Sequence, residues 1–142
     1  MSDSTKLFNA LYQNAEIGSS SIRKIYPKVQ DTRLKNEMRM QLSNYREQVN
    51  TIKNQMRDNN ERPQPASKMT KMMTSMGITL NCARDNSTET IAEMLIQGTN
   101  MGVIKINKAL NNTITADPKL IREAKSMLTK EQRYIDNLKG YL

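Results

Sequence analysis

Residues 117–142 read DPKLIREAKSMLTKEQRYIDNLKGYL, and the spacing of their apolar side chains decides the fold. Leu120, Ile121, Ala124, Met127, Leu128, Ile135, Leu138 and Leu142 fall on one face when the chain is wound at about 100° per residue, the signature of an amphipathic helix. Asp117 followed by Pro118 is a helix start, an N-cap side chain and then a proline whose missing N–H is not needed. At the centre of the apolar face, where another hydrophobic residue is due, stands Glu131, with Tyr134 three residues further on.

The same rule runs back through the chain. Residues 4–26 carry Leu7, Leu11, Ala15, Gly18, Ile22 and Ile25, with Val29 just beyond. Residues 32–60 carry Leu34, Met38, Leu42, Tyr45, Val49, Ile52 and Met56, and residues 87–111 carry Ile91, Met94, Leu95, Gly98, Met101, Gly102, Ile106 and Ala109. Each series is one stripe at steps of three and four. Punctuation agrees with these limits. Pro27 disfavours helix at Tyr26, Asp31 is placed to cap the second helix, and Asn59-Asn60 closes it. Asn86 with Glu89 makes a capping pair for the third, which ends at Asn111-Asn112. With 5 Gly and 4 Pro in 142 residues, turn residues are too scarce for a sheet-rich domain. The expected fold class is all-α, one domain over residues 1–142 with helices at about 4–26, 32–60, 87–111 and 118–141.

Helices of about 25 residues are about 38 Å long at 1.5 Å per residue, and four of near-equal length with one stripe each bury themselves as a four-helix bundle. Short joints make the first pair and the last pair antiparallel neighbours. Residues 61–86 are long enough to run the length of the bundle, so the second and third helices can be parallel. Within this crossover Met69, Met72, Met73, Met76, Leu80 and Ala83 share a face while Lys68 and Lys71 point away, which predicts a short Met-rich helix over about 68–83 lying across the bundle. The third helix calls for such a cover, because Ala92, Ile96, Val103 and Leu110 widen its apolar arc past half the circumference. The Met-rich helix, a second copy of the chain, or both would supply it, and a homo-oligomer, with a dimer favoured, is the expectation for partners.

Composition removes several chemistries. The chain has 22 Lys and Arg against 14 Asp and Glu, a formal charge of +8, no His and 1 Cys. Without imidazole there is no His-ligated zinc, haem or di-iron site and no His-based triad. A single cysteine forms no intramolecular disulfide or CxxC pair, and Cys82 is expected to be an inert buried thiol. The opening MSDSTKLFNALYQ lacks the basic segment and apolar run of a signal peptide, and no window approaches the roughly 20 apolar residues that cross a bilayer. A cytoplasmic protein without a membrane partner is expected.

An antiparallel helix pair, a long crossover and a second antiparallel pair resembles the ferritin-like superfamily, and Glu131-Gln132-Arg133-Tyr134 resembles its Glu-x-x-His motif with Tyr in place of His. The local likeness of Leu42-Ser43-Asn44-Tyr45-Arg46-Glu47-Gln48-Val49 to Glu131-Gln132-Arg133-Tyr134-Ile135-Asp136-Asn137-Leu138 is similar to that family's internal pseudo-repeat. The resemblance implies a Glu projecting inward from two helices and a Glu-x-x-His pair from each of the other two, together holding two iron or manganese ions. Helical phase leaves only one such group. Glu16 lies about 145° from the centre of its stripe, Glu93 is roughly opposite its own, Glu47 is outward, and Leu42 and Tyr45 hold the inward positions of the second helix. The chain thus resembles small bacterial members of the superfamily with a degenerate di-metal site. No metal and no cofactor are expected; iron or manganese held with Glu131 as residual ligand is the alternative. A buried carboxylate needs a partner, and Tyr45, Tyr134 and Lys105 are the candidates for Glu131.

For function, the residues leave a non-enzymatic bundle with a structural, interaction or stress-related role as the main reading. The alternatives are a metal-binding or redox protein with a reduced site around Glu131, Tyr134 and Tyr45, and weak polyanion binding. The last rests on the fourth helix, where Arg122, Lys125 and Arg133 lie outward with Lys119, Lys130 and Lys139 nearby, although no aromatic residues interleave them.

Overall fold

The computed structural model describes residues 1–68, 70, 71, 77 and 85–142. Among these residues the chain forms four α-helices, α1 (Asp3–Ile25), α2 (Thr32–Asp58), α3 (Thr88–Asn111) and α4 (Pro118–Leu138), with 3-10 turns at Tyr26–Lys28 and Lys139–Tyr141, and no strand. No helix among them is long and apolar enough to cross a membrane. The expected Met-rich helix, with Met69, Met72, Met73, Met76 and Cys82, lies outside the described residues.

Each helix begins where a short polar side chain captures an otherwise orphaned amide. The Ser2 hydroxyl accepts from Thr5 N, Asp31 from Leu34 N and Asp117 from Lys119 N. At α3 the cap is Ser87, accepting from Thr90 N, and not the Asn86–Glu89 pair read from the sequence. The neighbouring Asp85 explains the choice: it accepts the Ser87 amide at 2.8 Å and the Thr90 hydroxyl at 2.6 Å, locking Ser87 in the capping position. Helix α1 stops at Ile25, where Pro27 enters the 3-10 turn, and α2 stops at Asn59-Asn60, with Asn60 in the left-handed region at φ 58°. Asparagine tolerates that conformation, and it lets Glu61 N reach back to Met56 O at 2.7 Å.

Contacts at the helix ends set the directions. Asp3 at the start of α1 accepts from the amide and hydroxyl of Thr115, between α3 and α4. Thr5 donates to Glu61, just past α2, at 2.5 Å. The start of α1, the end of α2, the end of α3 and the start of α4 therefore share one end of the bundle. In section, α1 packs on α2 and α3, and α4 packs on α3 and α2, so every neighbouring pair is antiparallel.

The core has two clusters. One holds Leu7, Phe8, Leu11, Ile52, Met56, Ile106, Leu120 and Ala124; the other holds Ile22, Ile25, Leu34, Met38, Tyr45, Ile91, Tyr134 and Leu138. Two helices are rotated relative to the sequence expectation. In α2 the buried arc is Leu34, Met38, Gln41, Tyr45, Gln48, Ile52 and Met56, while Leu42 and Val49 are only half-buried. Two glutamines take the places expected of aliphatic residues because the Tyr45 ring, seated over Gly18, fixes the helix phase. In α3 the arc is Ile91, Ala92, Leu95, Thr99, Gly102 and Ile106. Gly98 faces solvent instead of the core, and Met101 and Ile104 are 60% and 48% exposed.

A buried carboxylate cluster and an apolar cavity

Glu131 is fully buried at mid-bundle, on the arc of α4 that runs through Ala124, Met127, Tyr134, Ile135 and Leu138. Its Oε2 accepts the Tyr45 hydroxyl at 2.8 Å, and Oε1 accepts Gln41 Nε2 at a long 3.4 Å. Tyr45 and Gln41 lie one helical turn apart on α2, so one carboxylate is gripped by one face of the facing helix. Gly18 of α1 makes this possible. A Cβ there would sit 2.5 Å from the Tyr45 ring, so only glycine lets α1 approach closely enough to hold the ring under Glu131.

Burial pushes the Glu131 carboxyl up to about 7, against the opposing pull of the Tyr45 hydrogen bond. Burial and then the Glu131 charge drive the Tyr45 phenol well above its ordinary range. Near neutrality the Tyr45 phenol therefore keeps its proton, while the Glu131 carboxyl is close to its titration point.

The other expected partners of Glu131 behave differently. Tyr134 is buried, but its hydroxyl has no hydrogen-bond partner among the described residues. Burial, followed by the charges of Glu131 and Glu37, holds that phenol far above its ordinary value. Lys105 does not reach Glu131; it is exposed. Its position near the edge of the expected stripe is turned outward by the same rotation of α3 that exposes Gly98. Gln48 Nε2 and Gln55 Oε1, on α2, are two further buried atoms without a hydrogen-bond partner among the described residues.

Glu16 is off the core, yet not free. Lys71 reaches it at 2.6 Å, and the chain after α2 covers it. Burial works to raise its pKa, but hydrogen bonds from Lys71 and Tyr12 outweigh that and hold it below the carboxylate value; Tyr12, half-buried and facing this charge, is pushed up to about 12. This triad escaped the sequence reading because helical phase shows distance from the core, not what a connecting segment lays over a face. Gln41 was legible in principle: it stands four residues before Tyr45, on the same face.

The donors converging on the bundle centre are one carboxylate, two phenols and an amide. That set does not fit a dinuclear iron or manganese centre, which takes several carboxylates and imidazoles. Glu47 and Glu93 are exposed, and among the described residues no three of His, Cys, Asp and Glu come together. Arg122, Lys125 and Arg133 are exposed on α4 together with Lys119 and Lys130, and none of the five makes an ion pair among the described residues.

Beside the cluster, a cavity of about 570 Å³ follows the seam between α1 and α3, with Pro65, Ala66, Ser67 and Thr70 of the segment after α2 forming a further part of its lining. Its inner wall includes Tyr45 and Tyr134, its sides Ile17, Ile22, Met94 and Leu95, and its rim Gly98 and Lys105. At Gly98, where an added Cβ would meet nothing within 4 Å, the missing side chain leaves this space open. At Gly102 the helices close up, for a Cβ there would collide with the Asn14 amide. No protein-family model matches the chain, and neither the curated proteins nor the solved structures include a match.

Proposed function

We propose that this chain is a non-enzymatic, ferritin-like bundle protein with a structural or interaction role, in which the position that serves metal binding elsewhere serves helix register. The observation that carries this reading is the state of Glu131. Both of its oxygens are engaged by α2, by Tyr45 and Gln41, and among the described residues no second carboxylate joins it. A directional bond between two helices, in an otherwise sliding apolar contact, selects one register. The arrangement of helix ends, with α2 and α3 pointing the same way, supports the ferritin-like assignment. Oligomerisation through α3 is part of the proposal and is supported by the exposure of Met101 and Ile104 on that helix.

Metal analysis of protein purified without chelator tests the reading, alongside the Glu131→Ala variant. The expected result is substoichiometric metal in both. Stoichiometric iron or manganese in the native chain, lost in the variant, would overturn it in favour of a reduced metal or redox site at Glu131, Tyr45 and Tyr134.

One second reading has its own observation. The five cations of α4 without ion-pair partners form a basic ridge suited to a polyanion. It predicts DNA retardation at low salt that disappears as salt rises and when Arg122, Lys125 and Arg133 are neutralised together. No retardation at low salt removes this reading and leaves the first untouched.

A further inference from the structure

We infer that the cavity between α1 and α3 is a binding site for an amphiphilic organic anion, a carboxylate on a medium-length apolar chain. Three features of the lining lead there. Its volume, about 570 Å³, lies inside the range of roughly 300–1,000 Å³ typical of small-molecule sites. Its walls are mainly apolar, with Ile17, Ile22 and Ile25 from α1 facing Met94 and Leu95 from α3. Its charge is one-sided: Lys105 is the single charged residue among the described lining residues, is exposed at the rim, and makes no ion pair among the described residues.

A lone cation at the mouth of an apolar slot selects an anion with a hydrophobic body and rejects a cation of the same shape. The slot has length as well as volume. Lys105 and Gly98 both line it and are seven residues apart on α3, about 10 Å at 1.5 Å per residue. The ligand's head sits at Lys105 and its chain runs toward the rings of Tyr45 and Tyr134. Glu131 lies behind Tyr45 with its oxygens turned to α2, so it presents no carboxylate to the slot. This site is independent of the role given to Glu131 above, and neither reading depends on the other.

Titration calorimetry of the intact chain with decanoate, below its micelle-forming concentration, provides the test, with decylamine and decanol as controls. Saturable binding of one decanoate per chain is expected, tighter than decylamine. Two variants keep the fold out of question. Lys105 is exposed, so Lys105→Met should fold normally and weaken decanoate about tenfold while leaving decanol unchanged, the loss of one charge-assisted contact. At Gly98 an added Cβ meets nothing within 4 Å, so Gly98→Leu should fold and fill the slot, abolishing both. Absence of saturable decanoate binding to the native chain overturns the inference. So does decylamine binding as tightly as decanoate, or decanoate binding that either variant leaves unchanged.

Discussion

The two ends of the bundle are built from the same four helices and differ in what they bury. Around Leu7, Leu11, Ile52, Met56 and Ile106 the core cluster is built of apolar side chains, with all five at most 1% exposed. Around Tyr45, Tyr134, Leu34 and Leu138 the core also holds a carboxylate, a phenol without a hydrogen-bond partner among the described residues and one wall of a cavity. The apolar end resists unfolding through area removed from water, which is indifferent to small slides of one helix along another. At the other end a carboxylate–phenol bond loses its energy when the helices slip. Bulk stability and register are thereby assigned to different halves, and the buried carboxyl raised to about 7 lies in the second.

The largest expected effect breaks the apolar end. Leu7→Ala should cost about 2–5 kcal/mol, as for other fully buried leucines, by urea unfolding. The loss should be the same at pH 5 and pH 8, because no titrating group is in its cluster; a pH-dependent loss would mean that the halves are coupled. Glu131→Gln tests the other end. Since the folded carboxyl is raised from 4.5 to about 7, the neutral form is favoured by folding. The stability it contributes is fully present below about pH 4.5 and is lost as pH climbs through 7. That interval corresponds to about 3 kcal/mol at 1.36 kcal/mol per unit. The amide should therefore match the native chain at pH 4.5 and exceed it at pH 8. Parallel unfolding curves at both pH values are the measurement, and a constant difference between the two proteins would locate the titration elsewhere.

This division was partly legible in the sequence. Helix number, limits and apolar faces follow from period and punctuation, because Pro27, Asp31, Asn60 and Asp117-Pro118 act on their own backbone. The burial of Glu131 follows from phase, which also put Tyr45 among three candidate partners, beside Tyr134 and Lys105, without choosing between them. What one helix cannot reveal is how its neighbour fits. Gln41 and Gln48 displaced Leu42 and Val49 from the α2 arc because of a tyrosine seated on a glycine 27 positions away in α1. Likewise Gly98, read as a core position, lines the outer rim of a space that exists only between two helices. Glu16 gained its partner from Lys71, outside any of the four helices. Local rules reached the elements, and errors gathered where small residues let elements come close or stand apart.

Glycine pairs sharpen the comparison at smaller amplitude. Gly18→Ala places a Cβ 2.5 Å from the Tyr45 ring, so the ring must move and stretch its 2.8 Å bond to Glu131. Overpacking of this kind costs about 1–3 kcal/mol, against about 1 kcal/mol gained from helix propensity. Gly98→Ala meets nothing within 4 Å and should keep that gain of up to about 1 kcal/mol. Opposite signs for the same substitution, read as shifts in thermal midpoint, would show that the Tyr45 seat and not glycine flexibility is at stake.

The smallest expected effect concerns Tyr134. Its hydroxyl is buried without a hydrogen-bond partner among the described residues, while the ring packs in the core. Leaving such a donor unsatisfied costs about 1–3 kcal/mol relative to a paired one, so Tyr134→Phe removes a penalty and keeps the packing. The variant should be as stable as the native chain or up to about 1 kcal/mol more so, and it should lower the pH at which Glu131 titrates little, since the two groups share no hydrogen bond. Tyr45→Phe is the counterpart, deleting the bond that Glu131 does make. That variant should be less stable and should raise the titration point, because the hydrogen bond from Tyr45 is what pulls the carboxyl down. Unfolding midpoints measured across pH for the two phenylalanine variants compare a tyrosine of α2 with one of α4: a stability loss at Tyr134 equal to that at Tyr45 would show that both hydroxyls are bonded in solution.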